Sequence, residues 1–167
     1  MKKFLLVIFV LVGFANFAHS QYDKEQAPTQ GAKSVYFELF GPGLASFNFD
    51  FRFGKRQDGL GGRVGFGGAY IDGSGAVFIP IGLNYLIGGK DGKNYFELGA
   101  GFTPLIASEE FSDDEDGAFT STFGHILFGY RLQPSTSGFT FRASVSPIFG
   151  SFGFFPFYGG VSFGYKF

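Results

Sequence analysis

Seven ionisable residues, Glu38, Asp50, Arg52, Arg63, Glu97, Arg131 and Arg142, all fall on one parity of the alternating stretches in which they occur. Carboxylates and guanidinium groups gathered on one surface pair through charge-assisted, often bidentate hydrogen bonds. In a narrow interior such pairs compensate one another's charge and occupy the space between opposite walls. Hydrolytic chemistry would need other groups. His125 lies four residues from Ser121, and a Ser beside a His base is the minimum for an activated nucleophile. No motif supplies a partner, so His125 reads as one polar residue among several, and no catalytic residue is expected.

Metal chemistry has one candidate, Ser112-Asp113-Asp114-Glu115-Asp116-Gly117. A calcium loop of the EF-hand type would need Asp at position 112 and Glu at position 123, where the chain has Ser112 and Phe123. The stretch therefore reads as a solvated acidic loop, with no metal and no cofactor expected.

The elements that carry these residues are strands. Phe47, Phe49, Phe51 and Phe53 alternate with Ser46, Asn48, Asp50 and Arg52, a period of two that no helix produces. The same alternation runs through Val35–Leu39, Arg63–Gly67, Val77–Tyr85, Phe96–Phe102, His125–Arg131, Phe139–Ser146 and Gly160–Phe167. The sixth of the eight is the least regular, because Phe123 and Leu127 share a face with His125. Turn signals separate them: Gly41-Pro42-Gly43, Lys55–Gly61, Asp72–Gly75, Gly88–Lys93, Leu105–Gly117 and Pro134–Gly138. The uncharged run Ala143–Tyr165 is too rich in Gly and Pro to form a spanning helix.

Eight short strands with turns of this kind predict an all-β fold, and volume decides which face is inside. The bore of an eight-stranded barrel is just wide enough for side chains to fill. One face carries Phe, Tyr, Ile, Leu and Val, and the other mostly Gly, Ser and Asn with the charges. Aromatics in those numbers would overfill the bore, so the small and polar face is expected inside and the bulky face outside, against lipid. Closed barrels also satisfy every backbone group in hydrocarbon. The expected fold is an antiparallel up-and-down transmembrane β-barrel of about eight strands over residues 33–167.

Composition agrees with a lipid-facing exterior. The 167 residues include 27 Phe and 28 Gly, and 16% are charged, against about 25% in soluble domains. Lys2, Lys3, the apolar run Phe4–Phe14 and Ala18-His19-Ser20 read as a signal peptide, residues 1–20, cleaved after Ser20. Residues 21–32 read as a flexible lead. Without Lys2 and Lys3 the chain carries 11 basic and 14 acidic residues, so no nucleic-acid partner is expected. The absence of Cys excludes a disulfide framework.

The segment Gly159–Phe167 resembles the terminal strand of outer-membrane barrels, with Phe163, Tyr165 and Phe167 at alternate positions. Over Ser34–Phe167 the chain is similar to small OmpA/OmpX-like barrels, on strands such as Ser34–Leu39 and Leu127–Arg131. Ser162 stands where the terminal signal usually has Gly, and with no Trp any aromatic girdle must come from Tyr70, Tyr85, Tyr130, Tyr165 and Phe. The resemblance implies the outer membrane of a Gram-negative envelope, assembly through the barrel-assembly machinery, and contact with outer-membrane lipid and lipopolysaccharide, with the chain as a monomer. Three functional classes stay open: a structural or surface-interaction barrel with a plugged polar lumen, which is the first choice, a narrow channel for small solutes, and a lipid-modifying envelope enzyme. The loop partner is not legible. Residues 21–167 refolded in detergent should run faster on SDS gels before boiling than after it, with a β-rich circular dichroism spectrum. Solubility as a compact monomer without detergent would contradict the lipid-facing exterior.

Overall fold

A strand with alternating large apolar and small polar side chains can bury only one face. Burial here follows that parity, but with the polar face inside. In β2 (Leu44–Arg52) Ser46, Asn48, Asp50 and Arg52 are buried while Phe47 is 71% exposed. The computed structural model describes residues 31–71, 74–88, 92–107 and 119–167. Residues 1–30, which hold the leader and most of the lead, lie outside the described residues, as does the acidic stretch 112–117.

All pairings are antiparallel. β1 (Lys33–Gly41) pairs with β2, β2 with β3 (Gly59–Ile71), and β3 with both β4 (Ser74–Phe78) and β5 (Ile81–Gly88). Both of these pair with β6 (Asn94–Ala107), and β6 pairs with β7 (Phe119–Leu132). β7 receives β8 (Gly138–Val145) and β9 (Ile148–Gly150), and β8 pairs with β11 (Gly159–Lys166). β11 returns to β1 and closes the ring. β10 (Gly153–Phe155) folds back on β9 as a short hairpin.

β4 and β5 are two halves of one wall strand, as are β8 and β9, so the wall has eight strands. Each break falls at a proline, yet neither shifts the register: β3 keeps one pairing frame from Gly67↔Phe78 to Arg63↔Gly82, and β7 keeps one from Phe128↔Val145 to Gly124↔Phe149. Proline has no N–H but keeps its carbonyl. The Pro80 oxygen still accepts from Gly65 N at 2.8 Å, and the Pro147 oxygen from Ile126 N at 3.0 Å.

Pairing also fixes the stagger. Partners followed once round the ring from Ser121 run through Leu105, Phe78, Gly67, Ser46, Glu38, Ser162 and Arg142, and return to β7 at Arg131, ten residues further on. Such a stagger requires strongly tilted strands, of about 35–45° in barrels of this kind.

Several limits differ from the sequence reading. β6 runs on to Ala107, so Leu105–Ala107 form ladder and not loop, and β3 begins at Gly59, inside the expected turn. The ladder also reaches into the expected lead, because Ala32 O accepts from Arg52 N at 2.9 Å. Cross-strand partners extend a ladder through positions whose local sequence is neutral. At the tight Pro42-Gly43 turn Phe40 forms a bulge with φ 61°, and Leu44 has φ 60°. That left-handed geometry costs a non-glycine residue roughly 1–2 kcal/mol.

Closure can be tested without added bulk because the chain has no native Cys. Val35 and Tyr165 are direct partners across the β1–β11 seam. Directly paired Cα atoms lie about 4.5–5.5 Å apart, within disulfide range. The Val35→Cys/Tyr165→Cys variant should oxidise to a crosslinked monomer with altered gel mobility. Failure to oxidise in the folded state would contradict the closed ring.

Candidate functional site

The bore is assembled from the inward positions of every wall strand, and the register places their charges together. Asp50 is fully buried. Its Oδ1 accepts from Arg52 Nη2 at 2.9 Å and from both Nη1 and Nη2 of Arg131 at 3.0 Å. Its Oδ2 accepts from Arg52 Nη2 at 3.0 Å and Asn84 Nδ2 at 2.5 Å, with Arg142 Nη2 in ionic contact at 3.3 Å. Glu97 stands on the other side of Asn84 and accepts from the same Nδ2 at 2.7 Å. It lies 3.6 Å from Arg142 Nη1 and 3.9 Å from Arg131 Nη1.

Glu38 forms a pair of its own with Arg63, at 2.8 Å from Oε2 to Nη2, and Arg63 Nη2 also reaches Asn48 Oδ1 at 3.2 Å. All seven residues singled out for this face are at most 5% exposed. They divide into a cluster of Asp50, Glu97, Arg52, Arg131 and Arg142 and an adjoining Glu38–Arg63 pair. Lys166 shares the inward face but stands apart, donating to the carbonyls of Pro134 and Ser135 at 2.8 and 2.7 Å.

Sequence reasoning missed the uncharged members. Asn84 links Asp50 to Glu97 and also accepts from Arg52. Ser34 Oγ accepts from Arg131 at 3.1 Å. The ring of Tyr36 lies 3.9 Å from the Arg142 guanidinium carbon and 5.8 Å from that of Arg63, a cation–π arrangement. Parity alone placed these residues inward, but only the register shows which charges they meet.

The same register explains the glycines. Long inward side chains have glycine directly opposite on a neighbouring strand: Tyr36 faces Gly164, Asn48 Gly65, Arg52 Gly61, Arg63 Gly82, Asn84 Gly99, Glu97 Gly129 and His125 Gly101. A Cβ at Gly61 would collide with the Arg52 guanidinium, one at Gly164 with the Tyr36 Cβ, and one at Gly101 with the His125 ring. Glycine on this face is the room into which its partner lies.

The bore is also narrowed at both ends. At the end bearing the β2–β3 turn, Leu86, Tyr95 and Gln133 are buried, and Gln133 Nε2 donates to Gln57 O at 3.1 Å. In that turn Arg56 donates to Asp58 at 2.7 and 3.0 Å, and this bond holds the Asp58 carboxyl below its ordinary pKa. At the opposite end Phe123 points inward, and Phe152 meets it edge-on at 6.1 Å between ring centres. His125 lies just inside, 2% exposed, and its Nδ1 has no hydrogen-bond partner among the described residues, Ser121 included. No group of His, Asp and Glu suited to a metal ion occurs among the described residues.

Phe163, Tyr165 and Phe167 stand on the outward side of β11. Phe163 packs 5.4 Å from Phe141, and Phe167 stacks 6.5 Å from Phe49.

The described chain is thus a closed, eight-stranded, antiparallel barrel whose inward face carries a cluster of buried, paired charges. A solved structure similar to it is the N-terminal β-barrel domain of Pseudomonas aeruginosa OprF, with a TM-score of 0.60 and 16% identity over 85% of this chain and 100% of that one. At that identity the likeness is one of fold. No family model and no curated protein matches the sequence.

Removing one partner of a buried pair leaves the other charge uncompensated and typically costs about 3–5 kcal/mol. Glu97→Ala should therefore lower the urea midpoint of the refolded barrel well below that of Ser144→Ala, whose site holds no charge. Equal midpoints would contradict the network.

Proposed function

We propose that the chain is a structural or surface-interaction barrel of the outer membrane whose bore is plugged by its own ion pairs. The observation that carries this reading is the cluster around Asp50, where three arginines and two carboxylates from β2, β6, β7 and β8 meet across the lumen. Within the cluster and the adjoining pair four guanidinium groups stand against three carboxylates, so these charges serve to compensate one another and fill the bore.

The outward face supports the membrane assignment. Phe47, Phe66, Phe96, Phe102 and Phe128 are 45–71% exposed, a surface that water tolerates poorly and hydrocarbon accepts. Tyr85, Tyr130 and Tyr165 lie towards one end of the wall and Tyr70 towards the other, as interfacial aromatics do. In this reading residues 1–20 are removed after Ser20, the lead lies in the periplasm, and the acidic loop after β6 faces outward from the cell. Phe163, Tyr165 and Phe167 supply the signal to the barrel-assembly machinery. The monomeric barrel contacts outer-membrane lipid and lipopolysaccharide, without cofactor or catalytic residue.

Planar-bilayer recording separates a plugged barrel from a channel. Refolded wild type should give no steady single-channel current. Removing both carboxylate charges of the cluster with Asp50→Asn together with Glu97→Gln should leave its three arginines without countercharge, set them moving and admit brief openings. Steady conductance from the wild type would refute the plug and favour a narrow channel for small solutes.

A further inference from the structure

The fold adds to the barrel an element that its closure does not need, β10, which folds back on the wall segment β9 as a hairpin. Phe149, Phe152, Phe154, Phe155 and Phe157 fall within nine residues of it, all more than two-fifths exposed, and Phe157 is 95% exposed. No Asp, Glu, Lys, Arg or His occurs between Arg142 and Lys166. A water-exposed surface loop of this composition would carry an apolar patch with nothing to solvate it.

The register divides these rings: Phe155 pairs with Ile148, which faces inward opposite His125, and Phe152 turns in against Phe123, so the outward side of the hairpin is carried by Phe149 and Phe154. β9 continues β8 without a shift, so Phe149 lies on the outward side with Phe141 and Val145, and Phe154 is its direct partner on β10. The Phe149 ring covers Gly124 on the outer surface of β7, where a Cβ would run into it. The hairpin's outward side is therefore an extension of the aromatic wall. On the same outer surface, lined by residues of β1, β7, β8 and β11 and not by the hairpin itself, is a groove of about 450 Å³, bounded by Phe40, Phe128, Val145 and Val161 with the small residues Ala143 and Gly159 between them. Phe40 is the bulge residue with positive φ, and its ring is 66% exposed at the edge of this groove.

We propose that the β9–β10 hairpin and this groove form a lipid-holding site: the hairpin lies in the membrane interface, and the groove takes one acyl chain of a bilayer lipid. The proposal rests on the reading that the aromatic wall faces lipid. Continuity with that wall favours lipid as the occupant, and the uncharged lining favours a hydrocarbon chain over a headgroup phosphate. Among the described residues β10 pairs only with β9, and an edge of this kind suits the interface, where water and headgroups can satisfy it, and not the hydrocarbon core.

The native chain has no Trp, so single-Trp reporters are clean. Phe157→Trp and, as the control for the wall itself, Phe47→Trp would be refolded into phosphatidylcholine vesicles carrying brominated chains. Emission from both should be quenched by the brominated chains, with aqueous iodide reaching the Phe157 reporter at the interface only partly and the Phe47 reporter not at all. Quenching of the Phe47 reporter by the chains, with a Phe157 reporter quenched by iodide and not by the chains, would overturn the hairpin proposal and leave the membrane reading intact. Failure of both would overturn both. For the groove, native mass spectrometry after mild detergent extraction from these vesicles should find one phosphatidylcholine retained by the wild type and lost in Ala143→Phe. Val161→Trp fills the same groove and replaces that variant if it does not refold. A wild type that retains no lipid, or forms a lipid-free dimer through this face, would overturn the groove as an acyl-chain site.

Discussion

Asp50 is fully buried among arginines from β2, β7 and β8. A carboxylate in that position is tolerable only if its countercharges arrive in fixed geometry, since an unpaired buried charge costs several kcal/mol. That requirement constrains the rest of the barrel. The stagger must bring Arg131 and Arg142, direct partners on β7 and β8, to the level of Asp50 on the opposite wall. A slip of one residue in any ladder would turn that strand's charges outward and its aromatics into the bore. The ion pairs and the register therefore specify each other.

Space is the second half of the same constraint. The bore takes the side chains of four arginines, three acids, two asparagines, two tyrosines and a histidine, all buried, and the glycines opposite the long side chains supply room for them. The outward face has no such limit, which is why Phe accumulates there. Abundant Phe and abundant Gly are thus two sides of one wall.

Much of this was legible in the residues. The Phe47–Phe53 alternation showed strand and parity at once, and the charged positions all fell on the opposite face, so the closed barrel and the inward set could be read directly. The pairing partners could not. Asn84 meets Asp50 across 34 residues of sequence only because the stagger brings β2 and β5 to one level, and no local pattern encodes a stagger. Pro80 looked like an ordinary inward residue of a continuous strand, although it interrupts the ladder while preserving its frame. The β9–β10 hairpin was missed because its Phe and Gly residues lack a clean period of two. Likeness of fold to the OprF barrel domain at 16% identity has the same cause: parity and side-chain size determine such a wall, and many sequences satisfy them.

The central claim is that the bore is dry and held by ion pairs, and the Glu38–Arg63 pair allows the most direct measurement because it stands beside the larger cluster and is linked by a 2.8 Å bond. A double-mutant cycle with Glu38→Gln and Arg63→Gln, read from urea unfolding of the refolded barrel, isolates the energy of that one contact. A dry bore predicts a coupling of about 2–3 kcal/mol, at the upper end for directly interacting residues. A coupling within the roughly 0–1 kcal/mol typical of solvated pairs would mean that water fills the lumen, and would contradict a bore closed by its own charges.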